Sequence, residues 1–340
     1  MNPAPFSSAL SSAPTGGTAG KLLGMIALGW VCLAGPSSVA ADVVGYSIIK
    51  GEFLLQTGTG PGGLERDPDF GFSILATVEL ADFDLLDSAR LRLPEGDTLE
   101  MDDYGDYWSI LDSYGTAAEL DEAYSWGDYV VLFEAPTDGK FSCLVGMPEA
   151  ALPPAPRLVN FADVQSVDAA QPLTVTWEFD GTPAKDDFVQ VYVNLGHGEV
   201  FATPNLGEPG ALGATDRSVT IPPDLLVPGF IHSLNLEITR VVSTNTACHP
   251  SAQGVGAVFR STEIDVFVPT PPEVRWLAKS TNGLPAVEVV TDPEQPIVLQ
   301  GSPDLRQWSD VATNAAASGT NVFEISTTGD PRRFYRAVLR

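Results

Sequence analysis

Positive charge is scarce in this chain. Of 340 residues only 18 are Lys or Arg, against 44 Asp or Glu, for a formal net charge of −26. Such a surface repels phosphate backbones and anionic headgroups, which argues against nucleic acid or an acidic membrane as partner. Histidine is nearly missing as well. His197, His232 and His249 form neither an HExxH pair nor zinc-ligand spacing, and Cys248-His249 lacks a second ligand pair and reads as a loop. No nucleophile elbow is present, because Gly45-Tyr46-Ser47-Ile48-Ile49 and Gly71-Phe72-Ser73-Ile74-Leu75 both lack the closing glycine. Serine-hydrolase chemistry has no support. Long apolar runs are also lacking: the longest, Leu22–Ala34, has 13 residues, too short to span a bilayer comfortably.

That run has a different reading. Lys21 precedes it, and small residues at Val39 and Ala41 stand at −3 and −1 before Asp42. This is the pattern of a secretory signal, residues 1–41, with cleavage near Ala41. Cys32 follows Gly29-Trp30-Val31, which is not a lipoprotein cleavage pattern. The mature chain is therefore expected to be secreted, periplasmic or at the cell surface, without a membrane span. It keeps only Cys143 and Cys248, which fall in different segments and are expected as two separate free thiols.

What the chain has in quantity is Gly (32), Pro (28) and 44% hydrophobic residues, enough for a real core interrupted by many turns. Proline clusters at Pro153-Pro154-Ala155-Pro156 and Pro269-Thr270-Pro271-Pro272 divide it like interdomain linkers. The segments are 42–155, an acidic β-rich domain; 156–269, a β-sandwich; and 270–340, a small β module. Their net charges are −18, −8 and −1, so the acidity belongs mainly to the first.

Nearly every apolar stretch alternates with period two, the signature of a half-buried strand. The first segment shows this at 45–56, 72–80, 89–93, 98–101 and 128–135. The middle one shows it at 173–177, 188–193, 218–221, 233–238 and 262–267, and the last at 286–291, 297–300, 322–326 and 333–339. One short helix interrupts: Thr116-Ala117-Ala118-Glu119 is a capping box, Leu120, Ala123 and Tyr124 share a face, and Gly127 offers a stop. The expected fold class is all-β with this one helix: tandem antiparallel β-sandwich domains.

The middle segment resembles a fibronectin type III or immunoglobulin-like module in Leu173-Thr174-Val175-Thr176-Trp177, in Phe188–Val193 and in Leu226-Val227-Pro228-Gly229-Phe230-Ile231-His232. His232 takes the place of that family's corner tyrosine. The mature chain is also similar to secreted verrucomicrobial-type β-module proteins. The matching residues are Val44-Gly45-Tyr46-Ser47, Pro156–Phe161, Gly207–Leu212, Ser302-Pro303-Asp304-Leu305-Arg306-Gln307-Trp308 and Arg333-Phe334-Tyr335-Arg336. This resemblance implies export and β-sandwich architecture, and no catalytic residues.

Three candidate sites remain. Gly58-Thr59-Gly60-Pro61-Gly62-Gly63 fits the dinucleotide fingerprint formally, but Leu64-Glu65-Arg66-Asp67-Pro68 follows where a helix must open, so it reads as a turn. Asp82, Asp84 and Asp87, with Asp102, Asp103 and Asp106, are clustered oxygens that calcium could use, although neither run fits an EF-hand loop and a solvated acidic turn is the favoured reading. Aromatics gather nearby: Trp108 and Tyr124 read as core, whereas Tyr104, Tyr107 and Trp126 are candidates to stack on sugars. Arg332, Arg333 and Arg336 form a basic patch expected to pair with acids.

The functional expectation is an exported, non-catalytic β-sandwich protein that binds or builds outside the cell, with glycans or other surface proteins as partners. Two alternatives stay open. One is a carbohydrate-binding or calcium-stabilised adhesion module; the other is a glycan-active hydrolase using carboxylates of the first segment.

Overall fold

The computed structural model describes residues 42–339 apart from 197, 278–279, 281, 283, 292–295, 315–318 and 326–333. The expected signal segment, His197, Arg332 and Arg333 lie outside the described residues. Strands dominate, as the alternation predicts, and they form two compact units. The first unit contains 42–164, 173–221 and 232–266; the second contains 165–172, 222–231 and 267–339.

In chain order the first unit opens with β1 (Val43–Gln56), β2 (Leu64–Arg66), β3 (Phe72–Leu80), β4 (Ser88–Arg92), β5 (Thr98–Glu100), β6 (Asp102–Asp103) and β7 (Tyr107–Tyr114). Helix α1 (Ala117–Ala123), β8 (Gly127–Ala135) and β9 (Gly139–Met147) follow. Then come β10 (Pro156–Leu158), β11 (Leu173–Phe179), β12 (Phe188–Leu195), β13 (Gly198–Ala202), β14 (Leu212–Gly213), β15 (Ser218–Ile221), β16 (Phe230–Asn245) and β17 (Gln253–Val268). One ten-stranded sheet organises them in the order β13-β12-β16-β17-β1-β3-β7-β6, with β14 on β12 and β2 on β1. Its centre is a parallel pair within an otherwise antiparallel neighbourhood: β1 runs beside β17 from Gly45 opposite Gln253 to Leu55 opposite Glu263. Strand pairing thus crosses the proline cluster at 153–156.

Two smaller sheets accompany the large one. The sheet β5-β4-β8-β9 encloses a core with it, where Tyr46, Ile48, Ile74, Ala76 and Val78 meet Leu91, Tyr129, Val131, Phe133 and Val145. The sheet β10-β11-β15 supplies buried Leu158, Val175, Trp177 and Ile221. On the opposite face of β1, Ile49 and Phe53 cluster with Val255, Ala257, Phe259 and Tyr192. Being central, β1 is buried on both faces along almost its whole length. The β1–β17 approach is close enough that a side-chain carbon at Gly51 would meet the Phe259 ring at 2.3 Å, so only glycine fits there.

Gln56 closes the far end of β1 with a two-way amide clamp. Its Nε2 donates to the Leu158 carbonyl (2.9 Å) and its Oε1 accepts from the Leu158 N–H (2.8 Å), anchoring β10. The Gly58–Gly63 stretch is a turn between β1 and β2, with the Thr57 N–H donating to the Gly63 carbonyl, and a strand follows it rather than a helix.

Thr116 caps the helix, its Oγ1 accepting from the Glu119 N–H (3.2 Å), while the Glu119 carboxylate accepts from the Thr116 hydroxyl (2.9 Å) rather than from the Thr116 N–H that a full capping box would use. Leu120 and Tyr124 face inward, but Ala123 is exposed and ends the helix, so Gly127 instead opens β8.

The cysteines require a correction. Cys143 and Cys248 are not free thiols but a disulfide, with Cα atoms 5.5 Å apart. Cys143 lies buried on β9, and Cys248 sits in the turn between β16 and β17, which the sheet carries back over the first segment.

The second unit contains β18 (Glu273–Leu277), β19 (Ala286–Val290), β20 (Ile297–Ser302), β21 (Ser309–Asn314), β22 (Thr320–Glu324) and β23 (Phe334–Leu339). They form two antiparallel sheets, β18-β19-β22 and β21-β20-β23, around Val287, Val289, Ile297, Leu299 and Phe323. Arg336 lies over the Trp308 ring at 4.4 Å and donates to Gln300. No helix among the described residues is long and apolar enough to cross a membrane.

Candidate functional site

The two acidic runs meet at one edge of the large sheet. Asp82, Asp84 and Asp87 occupy the β3–β4 connection, while Asp102 and Asp103 form β6, the terminal strand, paired with Ser109 and Trp108. The Asp84 N–H donates to the Gly105 carbonyl (2.9 Å) and the Leu80 N–H to the Asp106 carbonyl (3.0 Å), which stitches the two turns together.

Several of these acids have local work. Asp82 Oδ1 accepts from the Phe83 N–H and Asp103 Oδ1 from the Gly105 N–H, both at 2.8 Å, the short-range turn bonds that Asp side chains favour. All six candidates are exposed. Among the described residues no three acidic, His or Cys groups converge in a way that could hold a metal ion.

What the junction does assemble is an aromatic ledge. Tyr104 and Tyr107 stack with ring centroids 4.9 Å apart and planes 7° from parallel, fixed by the Tyr104 N–H donating to the Tyr107 carbonyl. Tyr104 is 47% exposed. Phe83, which the sequence pattern did not single out, is 65% exposed and its ring lies against Gly105. Gly105 has φ +94, and a side-chain carbon there would come within 3.0 Å of that ring. Burial first, then the Tyr104 and Asp106 neighbours, push the Tyr107 hydroxyl well above its ordinary pKa, so it stays a neutral hydrogen-bond donor. The result is flat apolar faces bordered by carboxylates and phenol hydroxyls, a chemistry suited to a sugar ring with its apolar face and hydroxyl rim. The only sequence signal for Phe83 was its place inside an acidic turn.

Trp126 is not part of that ledge. It is half-buried, and the Lys50 ammonium lies 4.2 Å from its ring centroid. Lys50 pairs with Ile74 and Ile74 with Asp112, five residues along β7 from Tyr107, hence roughly 17 Å away at strand spacing. Lys50 is itself a surprise: its side chain is 1% exposed, on a strand that reads as apolar. Asp121 accepts from it at 2.9 Å and the Tyr124 carbonyl accepts as well. Burial lowers the Lys50 pKa, and Asp121, with the Glu95 charge behind it, opposes the shift. Tyr124 fills the core as expected and donates its hydroxyl to Asp112, while Trp108 is half-buried against the same core.

A cavity of about 260 Å³ lies between Arg66–Asp69, Gly71 and Ser113–Gly115. Its Asp67 carboxylate already accepts from the Asp69 and Phe70 N–H groups. That arrangement is a turn cap rather than a catalytic carboxylate pair.

No family model matches the chain, and no curated protein matches it by sequence. Solved structures with a similar arrangement include a Ca2+-stabilised adhesin with which an Antarctic bacterium binds ice (11% identity, 88% of this chain and 73% of that chain, TM-score 0.26). Others are the FN1–FN3 domains of chicken CNTN1 (10%, 81% and 88%, TM-score 0.20) and fibronectin(III)-like modules of Clostridium thermocellum CbhA (10%, 66% and 94%, TM-score 0.19). At such scores the likeness assigns neither family nor role. The chain is a multi-module β-sandwich protein on its own geometry.

Proposed function

We propose that this is an exported, non-catalytic protein whose first segment binds glycans through the ledge of Phe83, Tyr104 and Tyr107. The observation that carries the reading is the stacked tyrosine pair, with Tyr104 exposed and Tyr107 half-buried, set among carboxylates at a sheet edge. Export is supported by the signal pattern of residues 1–41 and by a disulfide, which persists in oxidising compartments. The similarity of the tail around Trp308 to secreted verrucomicrobial-type proteins supports the same compartment. The net charge of −18 on the first segment keeps its surface soluble and selects against anionic ligands, favouring neutral sugars.

The test is a glycan array probed with the mature protein and with Tyr104→Ala, with and without calcium. The expected outcome is binding to neutral glycans that falls roughly fivefold in the variant, since one aromatic contact contributes about 1 kcal/mol. Calcium-dependent binding would move the reading to a calcium-stabilised module built on Asp82–Asp87 and Asp102–Asp106. Hydrolysis of an array glycan would establish an enzyme. Silence under all conditions would leave the structural role.

A further inference from the structure

The first described residue is held unusually well. Asp42 is 5% exposed. Its backbone N–H donates to Asp138 Oδ2 at 2.8 Å, and the same oxygen accepts from the Val43 N–H at 3.1 Å. The arrangement is reciprocal, because Asp42 Oδ2 accepts from the Thr137 N–H (2.7 Å) and the Asp138 N–H (3.1 Å). The Asp42 carbonyl also accepts from the Ala81 N–H. A strand entry is thus locked onto the β8–β9 turn by two carboxylates facing each other's backbones.

Behind Asp138 stands His249, 2% exposed, with Nε2 at 3.3 Å from Asp138 Oδ2. Its Nδ1 accepts from the Ser251 and Ala252 N–H groups, so the proton of the neutral ring resides on Nε2 and points toward Asp138. Burial lowers its pKa against the opposing pull of Asp138 and Asp42, and the ring stays neutral. Among the described residues neither carboxylate pairs with a Lys or Arg, while the shortest hydrogen bond to Asp138 comes from the nitrogen of the residue that follows the expected cleavage point.

We propose that removal of residues 1–41 supplies the missing charge: the new α-ammonium of Asp42 forms an ion pair with Asp138 and locks the mature fold. Hydrolysis of the Ala41–Asp42 amide by a signal-processing peptidase adds one water. The hydroxyl goes to the Ala41 carbonyl carbon and the proton to the Asp42 nitrogen, which then takes a further proton to become the ammonium. The nitrogen keeps its 2.8 Å contact with Asp138 Oδ2, but a donor without formal charge becomes a cation, which adds an ion pair to a hydrogen bond whose acceptor was already charged. Before cleavage neither carboxylate has a cationic partner; afterwards Asp138 has one. This inference rests on the export reading, and two measurements keep the two apart.

N-terminal sequencing of the exported protein tests the cleavage point: Asp42 as first residue is expected, and any other terminus overturns the proposal at its premise. The anchor is tested on mature protein released with a native Asp42 terminus, beside the same chain with Ala41 retained and beside the chain acetylated at Asp42. Blocking the amine should raise the urea unfolding constant about tenfold and have no further effect in Asp138→Asn. An unchanged midpoint on blocking, or an equal loss in Asp138→Asn, would overturn the anchor even where sequencing had confirmed Asp42. If Asp138→Asn does not fold, the acylation rate of the α-amine at pH 7 decides. It should be at least tenfold slower in the native than in the urea-unfolded protein, and equal rates would refute the ion pair.

Discussion

Breaking the Cys143–Cys248 bond should measurably loosen the whole first unit. The two cysteines are 105 residues apart in sequence, so the crosslink closes a long loop in the unfolded chain. On the chain-entropy model a loop of that length corresponds to about 4.7 kcal/mol, and removal of native disulfides typically costs roughly 2–5 kcal/mol. The bond joins β9 to the β16–β17 turn, two elements that belong to the same cooperative unit, so the loss should appear in one transition rather than two. Cys248 is half-buried, which makes Cys248→Ser the cleaner variant, since Cys143 lies in the core and its replacement would add a packing defect. The assay is urea unfolding of wild type with and without reductant, with alkylation and intact mass confirming the redox state. The midpoint should fall by the equivalent of about 2–5 kcal/mol, and thermal unfolding by roughly 5–15 °C. Reductant should leave Cys248→Ser unchanged. A fully reduced wild type that unfolds at the same midpoint as the oxidised protein would refute the reasoning.

Three further outcomes follow from particular residues. Glu237 is 2% exposed and burial pushes its pKa up to about 7, against hydrogen bonds from Thr239 and Tyr192. A carboxyl raised in the folded state binds its proton more tightly there, so its contribution is fully present below about pH 4.5 and is lost as pH rises through 7. Denaturant titrations of Glu237→Gln should therefore lack that decline and show a gain of order 1–3 kcal/mol over wild type at pH 8. Asp121→Asn removes the carboxylate charge facing buried Lys50 and should destabilise by about 1–3 kcal/mol in urea melts, since the buried ammonium loses its hydrogen-bonded counter-ion. Thr116→Ala deletes the α1 cap and should cost about 1 kcal/mol, measurable by the same melts and by faster amide exchange at Glu119.

The legibility of the chain divided along physical lines. Alternation located β3 and β15 to the residue, because each is half-buried with one apolar face. It passed over β7 and β9, whose Tyr107–Tyr114 and Gly139–Met147 runs dilute the pattern with aromatics, acids, glycine and lysine. The β21 strand, rich in exposed polar residues, was lost for the same reason; β18 is a five-residue strand whose apolar Val274 and Trp276 are exposed rather than buried. The local helix cap was readable because both its partners lie within four residues. The disulfide and the β1–β17 pair were not, since they bring together residues 105 and about 200 positions apart, and no local pattern encodes that proximity. At the candidate site, Tyr104 and Tyr107 were visible as exposed-type aromatics among acids. Phe83 and the removal of Trp126 by Lys50 depend on packing that only the folded chain defines.

The parallel pair at the centre of the large sheet also imposes an order on time. β1 is the first strand among the described residues, but the edge it offers to β17 has eleven residue positions, Gly45 through Leu55, that remain without a ladder partner until residues 253–263 arrive. A chain that reached the outside amino end first would therefore hold an apolar, unsatisfied strand edge through the passage of some 200 further residues, the situation in which strand edges recruit wrong neighbours. The heavy negative charge of that first segment then acquires a kinetic meaning: copies waiting for their own β17 repel one another.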